Sequence, residues 1–332
     1  MRKLASIQEI KKLEPIPNAD KIELATILGW KVVVRKEEFR EGQLVVYVEV
    51  DSILPERPEF EFLRNRGFRI RTIKLRGQIS QGIVFPISIL PKDQKIEKGL
   101  DVTKILSIKK YEPPLSIQLS GEVKGKFPNF IPKTDEIRIQ TIPELLEKYK
   151  GNKFYITEKL DGTSGTFYYK DGEFGVCSRN LDLMESDDNA FWIVARKYKL
   201  EEKLRNNGKN LAIQGEVLGP KIQDNRYELD DLILYFFNIF DIDEQRYYKF
   251  EEIRQFISEL DLDMVPILDD DYTLDDSVDT LTELSYGKSN LNPKIYREGI
   301  VVRSLREIED SEFDRVSFKV LNPSFLLKYE SN

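Results

Sequence analysis

The 332-residue sequence contains no histidine and a single cysteine, Cys177. Without histidine there is no Ser-His or Cys-His nucleophile pair, no imidazole general base and no imidazole ligand for zinc. One cysteine excludes an internal disulfide and a cysteine-cluster metal site, which agrees with a reducing compartment. Chemistry in this chain must therefore use lysine, carboxylates and oxygen-bound metal ions such as Mg²⁺ or Mn²⁺.

The sequence also lacks a long apolar segment. No run approaches the roughly 20 residues that span a bilayer, and residues 1–6 lack the apolar core of a signal peptide. We therefore expect an intracellular protein with no membrane partner. The length, with 40% hydrophobic and 33% charged residues, indicates two globular domains. The net charge of -7 argues against wholesale coating of nucleic acid and leaves local basic patches to decide binding.

One basic segment lies between residues 64 and 76, which include no acidic side chain. Basic and apolar residues partly alternate from 69 to 76, and this pattern predicts a strand with much of its charge on one solvent face. Such a face can bind a duplex or single-stranded backbone, although a solvated strand face without any ligand has the same pattern. The candidate nucleic-acid residues are Arg64, Arg66, Arg69, Arg71, Lys74 and Arg76.

The chain divides into three parts by composition. Residues 1–110 contain short β-rich segments at 22–28, 31–34, 43–50, 69–74 and 82–87, which predict a small barrel. Residues 111–145 are rich in proline and lysine and predict an extended linker. Residues 146–332 mix strands with predicted helices at 187–205, 249–260 and 274–286. We expect Ser186 or Asp187 to cap the first helix, and the acidic run 269–271 to form a solvated loop.

A lysine motif in the third part carries the clearest chemistry. Glu158-Lys159-Leu160-Asp161-Gly162 places a candidate nucleophile, a carboxylate and a glycine where a strand is expected to enter a loop. Further motifs follow in order: Ser178-Arg179-Asn180, Gly215-Glu216-Val217, Tyr235-Phe236-Phe237-Asn238, Glu298-Gly299-Ile300-Val301 and Ser317-Phe318-Lys319.

In order and spacing, this series resembles the nucleotidyltransferase motifs of polynucleotide ligases and capping enzymes. It is most similar to the ATP-dependent RNA ligases that carry an OB domain in front of the catalytic domain and none behind it. Residues 15–23 and Gly29-Trp30 also resemble the opening of tRNA-binding OB domains. The resemblance implies an α+β protein, with an N-terminal OB-fold β-barrel followed by a nucleotidyltransferase domain of antiparallel sheets and flanking helices.

The resemblance makes Lys159 the nucleophile that attacks the α-phosphate of ATP. Attack needs a neutral amine, whereas the pKa of free lysine is about 10.4. We therefore expect the site to lower the pKa of Lys159 through burial, a nearby cation or a divalent metal. Asp161, Glu216 and Glu298 would orient Mg²⁺ or Mn²⁺, largely through water, or the ribose. The alternative for each carboxylate is an exposed turn position.

Other contacts to the nucleotide are implied in the same way. Glu158 would accept the adenine amino group, Phe237 would stack on the purine, and Arg179 would bind a phosphate. The alternative for Glu158 is a charge that faces solvent, and the alternative for Phe237 is an aromatic side chain in the core. Gly162 belongs to the lysine motif, and Arg138 and Gln140 lie in an upstream segment that is similar to one in the same ligases.

Lys319 would contact the α-phosphate and stabilise the transition state. Many ligases have a second lysine two positions further on, where this chain has Leu321. Either Lys328 takes that role or one phosphate contact is absent.

The favoured function is an ATP-dependent RNA ligase that joins 3′-hydroxyl and 5′-phosphate ends of RNA or RNA/DNA duplexes through a lysine-adenylate and an adenylylated 5′ end. The resembled group implies nicks with an RNA 3′-hydroxyl. A capping guanylyltransferase or DNA ligase is an alternative, but we expect those to need a further OB domain after Lys328. An inactive OB-type nucleic-acid-binding protein is another. The oligomeric state is not given by the sequence, and a monomer is the expectation.

Overall fold

The computed structural model describes residues 3–112 and 122–329, so residues 113–121 of the predicted linker lie outside the described residues. The described chain forms two compact units. One contains residues 3–112, 139–144 and 323–329, and the other contains residues 122–138 and 145–322. The units therefore alternate along the sequence. The linear division into 1–110, 111–145 and 146–332 remains a prediction.

The first unit is built on a five-stranded antiparallel sheet with the order β3-β2-β1-β4-β8. The long strand β1 changes register between Ile10 and Lys12, so its first half pairs with β4 and its second half with β2. The core beneath it includes the fully buried Ile7, Trp30 and Tyr47. Its strands are β1 (Ala5–Pro15), β2 (Ile22–Ile27), β3 (Trp30–Arg35), β4 (Leu44–Val48), β5 (Ser52–Ile53), β6 (Ile73–Leu75), β7 (Gln78–Ser80), β8 (Ile83–Pro86) and β9 (Lys109–Lys110).

The predicted strand at 69–74 was wrong. Strand β6 covers only Ile73–Leu75, and Pro58–Arg66 form a 3₁₀ helix that ends at Gly67 with a left-handed φ of 59°. Glycine adopts this conformation without a Cβ clash, so the chain turns there instead of extending. The basic residues of the segment consequently lie on a helix, a turn and a short strand rather than on one strand face.

The second unit contains two larger sheets. A seven-stranded sheet has the order β10-β15-β14-β13-β16-β17-β18, and a five-stranded sheet has the order β11-β23-β20-β12-β19. All pairs are antiparallel except β11 with β23, which are parallel. The strands are β10 (Val123–Lys126), β11 (Ile137–Arg138), β12 (Lys153–Lys159), β13 (Thr163–Lys170), β14 (Glu173–Cys177), β15 (Leu181–Leu183), β16 (Leu211–Leu218), β17 (Ile233–Asp241), β18 (Arg246–Tyr247), β19 (Ile267–Thr273), β20 (Gly299–Ser304), β21 (Glu309–Asp310), β22 (Asp314–Arg315) and β23 (Ser317–Leu321).

The helices differ from the sequence prediction mainly at 187–205. Lys199 adopts a left-handed φ of 52° and divides this region into two helices, and Asn189 rather than Ser186 or Asp187 caps the first by accepting from the N–H groups of Phe191 and Trp192. The helices are α1 (Glu144–Tyr149), α2 (Ala190–Lys197), α3 (Leu200–Asn207), α4 (Phe250–Glu259), α5 (Val278–Ser285) and α6 (Pro323–Tyr329). Within the described residues, no helix has the length and apolar character to cross a membrane.

The acidic run 269–271 lies on strand β19 and not in the predicted loop, with all three carboxylate side chains exposed. Strand β19 is an edge of its sheet, and exposed charge on an edge strand discourages pairing with another chain.

Candidate active site

The lysine motif lies at the end of strand β12. Lys159 is the last residue of β12 and pairs with Gly299, the first residue of β20, so Glu298 lies directly beside it. The Lys159 Nζ donates a 2.5 Å hydrogen bond to Glu298 Oε2. Two motifs that are 139 residues apart in sequence are therefore in contact.

A second lysine lies on the same face of this sheet. Val301 on β20 pairs with Lys319 on β23, and Lys319 pairs with Arg138 on β11. Because side chains alternate between the two faces of a strand, Lys159, Val301, Lys319 and Arg138 share one face. The predicted site residues Lys159, Lys319, Arg138 and Glu298 thus come together as expected, with Arg138 buried and Lys319 half-buried.

The turn after β12 joins this cluster to the other sheet. The Gly162 N–H donates to Glu216 Oε1 at 3.2 Å, which places Glu216 on β16 next to the turn. A Cβ at Gly162 would lie 2.5 Å from the carbonyl oxygen of Val217 and 2.4 Å from Leu218 Cδ2. Only glycine permits this approach. Gly162 therefore has a structural reason for its identity, namely the contact between the turn after Lys159 and β16.

The carboxylates around Lys159 act against the expected lowering of its pKa. Burial disfavours the ammonium form, but Glu298 and Glu216, with help from Asp161, outweigh burial and raise the pKa of Lys159. The lowering of this pKa by a bound divalent metal stays a prediction. The protein's own residues keep this amine protonated.

The carboxylates show the complementary effect. Burial and the charge of Glu298 raise the pKa of Asp161 to about 6, against the opposing charges of Arg226 and Lys159. Burial raises the pKa of Glu216 to about 8, although Lys159 counteracts part of the shift. Both carboxyl groups are therefore harder to ionise than in water, and a further positive charge beside them would favour their charged forms.

Within residues 3–112 and 122–329, no group of three or more metal-ligating side chains is close enough to hold an ion directly. Asp161, Glu216 and Glu298 nevertheless all act on Lys159, and carboxylate oxygens are the ligands that Mg²⁺ and Mn²⁺ prefer. An ion that these residues hold partly through water stays a prediction.

Lys319 has the lowered pKa that was expected for Lys159. Burial, the ammonium of Lys159 and the guanidinium of Arg138 lower the pKa of Lys319 to about 7, while Asp135 and Glu298 oppose the shift. Near neutral pH this side chain is consequently divided between its charged and neutral forms. An approaching phosphate would favour the ammonium form.

Glu158 has the features of a hydrogen-bond acceptor held ready for a ligand. The side chain is buried, and its Oε2 accepts from the Asn290 N–H at 2.8 Å. Oε1 is buried and has no hydrogen-bond partner within the described residues. Burial raises the pKa of Glu158, against hydrogen bonds from Ser289 and Asn290. A buried acceptor without a partner is costly, so this oxygen suits the donated hydrogens of an amino group.

Phe237 is half-buried on strand β17, whereas its neighbour Phe236 is fully buried in the core. The guanidinium carbon of Arg303 lies 5.5 Å from the centre of the Phe237 ring. Arg303 belongs to β20 and shares the face of Lys159 and Val301 by strand alternation. Phe237 therefore contacts a residue on the sheet face that carries Lys159, and its stacking on a base stays a prediction.

Arg179 is linked to the lysine cluster through Asp135, whose carboxylate also acts on Lys319. It lies in the turn between β14 and β15, about half exposed, and forms an ion pair with Asp135. A phosphate contact by Arg179 stays a prediction. Gln140 and Lys328 belong to the first unit, so their contact with the nucleotide also stays a prediction.

The structure adds site residues that the motifs did not identify. Arg226 forms an ion pair with Asp161, and the Tyr227 hydroxyl accepts a 2.7 Å hydrogen bond from the Asp161 N–H. Gln223 Nε2 donates to the Gly162 carbonyl at 3.1 Å. All three lie in the irregular segment between β16 and β17, which has neither strand nor helix periodicity to indicate where its side chains point.

The basic segment of the first unit is divided between paired and exposed side chains. Arg64 pairs with Glu61 and Glu56. Arg69 pairs with Asp51, and its guanidinium carbon lies 3.5 Å from the centre of the Tyr111 ring. Arg71 is half-buried, and Arg66, Lys74 and Arg76 are exposed. The last three present the most accessible charge of this segment.

Comparison with known proteins supports both units. A family model described as an OB-fold domain matches residues 4–87, and a model described as RNA ligase matches residues 152–321. The structure of Naegleria gruberi RNA ligase with PPi superimposes with a TM-score of 0.93 at 39% sequence identity, covering 100% of both chains. The chain belongs to the RNA ligase family.

Two further structures of this RNA ligase family agree with the assignment. A mutant of Naegleria gruberi RNA ligase with AMP and Mn has a TM-score of 0.92 at 39% identity and covers 100% of each chain. Another mutant with ATP and Mn has a TM-score of 0.92 at 39% identity, covering 99% of this chain and 100% of that one. No curated protein sequence matches the chain. The predicted RNA ligase family and its fold, an OB domain followed by a ligase domain of antiparallel sheets and helices, are confirmed.

Proposed function

We propose that this protein is an ATP-dependent RNA ligase whose nucleophile is Lys159. The observation that carries the proposal is the position of the Lys159 amine, at a strand end between Glu298 and the turn that contacts Glu216. Lys319 on the same face supplies a second amine for the phosphate. Solved relatives with ATP, AMP and Mn support ATP as the substrate and Mn²⁺ or Mg²⁺ as the cofactor.

The proposed reaction has three steps. The Lys159 Nζ attacks the α-phosphorus of ATP, the bond to the pyrophosphate oxygen breaks, and a lysine-AMP phosphoramide forms. A 5′-phosphate oxygen of the nucleic acid then attacks the same phosphorus and releases the lysine. Finally a 3′-hydroxyl attacks the adenylylated 5′-phosphate, a phosphodiester forms, and AMP leaves.

Different residues of the chain would bind the base, the phosphate and the metal ion. Glu158 Oε1 would accept the adenine amino group and Phe237 would stack on the base. Lys319 would stabilise the charge that develops on the α-phosphate. A divalent ion held by Asp161, Glu216 and Glu298 would add positive charge beside the phosphoryl oxygens. The ends joined would be RNA or RNA/DNA duplex ends, including nicks with an RNA 3′-hydroxyl.

The test is incubation with α-labelled ATP or GTP and Mn²⁺, followed by denaturing electrophoresis. We expect label on the wild-type protein from ATP and none on Lys159→Ala. Lys153→Ala is a matched control, because Lys153 lies at the opposite end of β12 in an exposed pair with Asp271. Label from GTP alone would indicate a capping enzyme, and no label on the wild type would indicate a binding protein.

The exposed basic residues of the first unit would position the nucleic-acid backbone. Replacing Arg66, Lys74 and Arg76 together by alanine should weaken sealing and reduce its salt dependence, because each lost phosphate contact removes about 0.9 from the logarithmic salt slope. Adenylation of the protein should remain. Equal loss of both activities would contradict a substrate-binding role. We propose that the enzyme acts as a monomer inside the cell, where ATP is available and the Cys177 thiol stays reduced.

A further inference from the structure

The segment between β16 and β17, residues 219–232, contacts the catalytic turn at three points. The Arg226 side chain pairs with the Asp161 carboxylate, and the Asp161 N–H donates to the Tyr227 hydroxyl at 2.7 Å. Gln223 Nε2 donates to the Gly162 carbonyl at 3.1 Å. One loop therefore holds the carboxylate, an amide hydrogen and a carbonyl oxygen of the turn that follows Lys159.

These contacts are shielded from water. Tyr227 is only 6% exposed and packs with Leu160, Leu218 and Val265. The side chains of Arg226 and Asp161 are 14% and 13% exposed. The loop is fixed from its other side by Asn292, whose Nδ2 donates to the Arg226 carbonyl at 3.3 Å. Ion pairs that are shielded in this way restrict geometry more than exposed pairs do.

The loop has an unusual backbone. Lys221, Gln223, Asn225 and Glu228 all have left-handed φ values, between 44° and 66°. Asparagine tolerates this region, but the other three side chains are strained there. Non-glycine residues keep such conformations where the surrounding contacts determine them, and such sites often serve function. Here the left-handed positions lie on both sides of Arg226 and Tyr227 and bring their side chains onto the turn.

We propose that Arg226 and Tyr227 are positioning residues for lysine adenylation, which fix the Asp161-Gly162 turn and with it the end of β12 that carries Lys159. The inference rests on the proposed ligase function. In the proposed role, Arg226 and Tyr227 do not touch the reacting atoms. They act through Asp161, and they hold the turn in the place that the contact between Gly162 and β16 requires.

Single-turnover label transfer from ATP tests this role. Tyr227→Phe removes only the hydroxyl that accepts from Asp161, and Arg226→Gln removes the charge. For both we expect the rate constant of adenylation to fall roughly 10- to 100-fold, as a displacement of about 1 Å implies. The KM for ATP should change little, and Arg226→Lys should recover part of the rate. Lys294→Gln is the matched control, because it breaks the pair with Glu228 on the outer side of the same loop.

Amide hydrogen exchange gives a readout that does not depend on activity. In Tyr227→Phe the Asp161 N–H loses its acceptor, so we expect its exchange to be at least tenfold faster while the urea midpoint of unfolding stays near the wild-type value. The proposal would be overturned if both variants kept the wild-type exchange and adenylation rates. It would also be overturned if the adenylation rate fell only in proportion to the unfolding midpoint. A wild type that forms no adduct would defeat the proposed function, whereas exchange at Asp161 would still decide whether Tyr227 holds the turn.

Discussion

Replacing Gly162 by alanine tests the geometry of the catalytic turn. The added methyl would lie 2.5 Å from the Val217 carbonyl oxygen and 2.4 Å from Leu218 Cδ2, about 1 Å inside ordinary contact distances. Leu218 can rotate, but the Val217 carbonyl belongs to the backbone of β16, which is paired on both sides. The turn must therefore move by about 1 Å or keep the overlap.

A retained overlap and a moved turn would change different measured quantities. A retained overlap should destabilise the fold by about 1–3 kcal/mol, as inserted methyl groups do in packed sites. A turn that moves by about 1 Å should displace Lys159 and Asp161 and slow adenylation roughly 100-fold. Because the Gly162 N–H donates to Glu216, the moved turn would also lose that hydrogen bond. We expect the slower reaction to dominate, since the turn lacks the strand pairing that holds β16 on both sides.

The assay is single-turnover transfer of label from ATP, with urea unfolding measured on the same samples. Gly125→Ala is the control, because no heavy atom lies within 4 Å of a Cβ at that glycine and its φ is not positive. The control should match the wild type in both measurements. A Gly162→Ala protein with the wild-type rate and midpoint would refute the close approach between the turn and β16.

Three further predictions concern ionisation, base selection and stability. Without divalent ions, ATP affinity should fall by up to about tenfold per pH unit above pH 7, because the pKa of Lys319 is about 7 and the phosphate binds its charged form; calorimetry should show this slope in the wild type and a flat profile in Lys319→Arg. Glu158→Gln should reduce the preference for ATP over GTP in adduct formation by about tenfold, the value of one buried hydrogen bond, and an unchanged ratio would place the amino group elsewhere. Glu136→Ala should lower the unfolding free energy by about 3–5 kcal/mol in urea, because Arg303 would remain buried without the carboxylate it contacts at 2.9 Å; a loss below 1 kcal/mol would contradict this.

The sequence predicted which residues lie close together where one short motif carries both a chemical group and its local structure. Lys159, Glu298 and Lys319 each lie on or beside a strand within a recognisable motif, and strand pairing then placed them together. The predicted β-rich first part was also confirmed, but strand β1 was missed. Its second half, at residues 11–15, is largely charged and does not alternate, and it becomes a strand because β2 lies beside it.

Other features depend on contacts that no local pattern encodes. The contacts of residues 219–232 with the turn come from the middle of an irregular loop. Four of its left-handed backbone positions are not the glycines that usually mark such turns. The same holds for the basic segment, where Arg64 is taken up by Glu61 and Glu56 from its own helix and the preceding turn. A count of charges along the sequence does not show which of them are already paired.

The two lysines show why the direction of a pKa shift could not be obtained from the motif. Lys159 and Lys319 lie on one sheet face and are both removed from water, yet their pKa values move in opposite directions. The difference is the distribution of carboxylates, since three of them act on Lys159, while Lys319 has Lys159 and Arg138 as neighbours. A positive charge added beside those carboxylates would lower the pKa of Lys159. A phosphate beside Lys319 would raise the pKa of Lys319. Both changes go in the direction that the proposed chemistry needs, because the proposed nucleophile Lys159 must lose its proton and the proposed phosphate contact Lys319 must keep one.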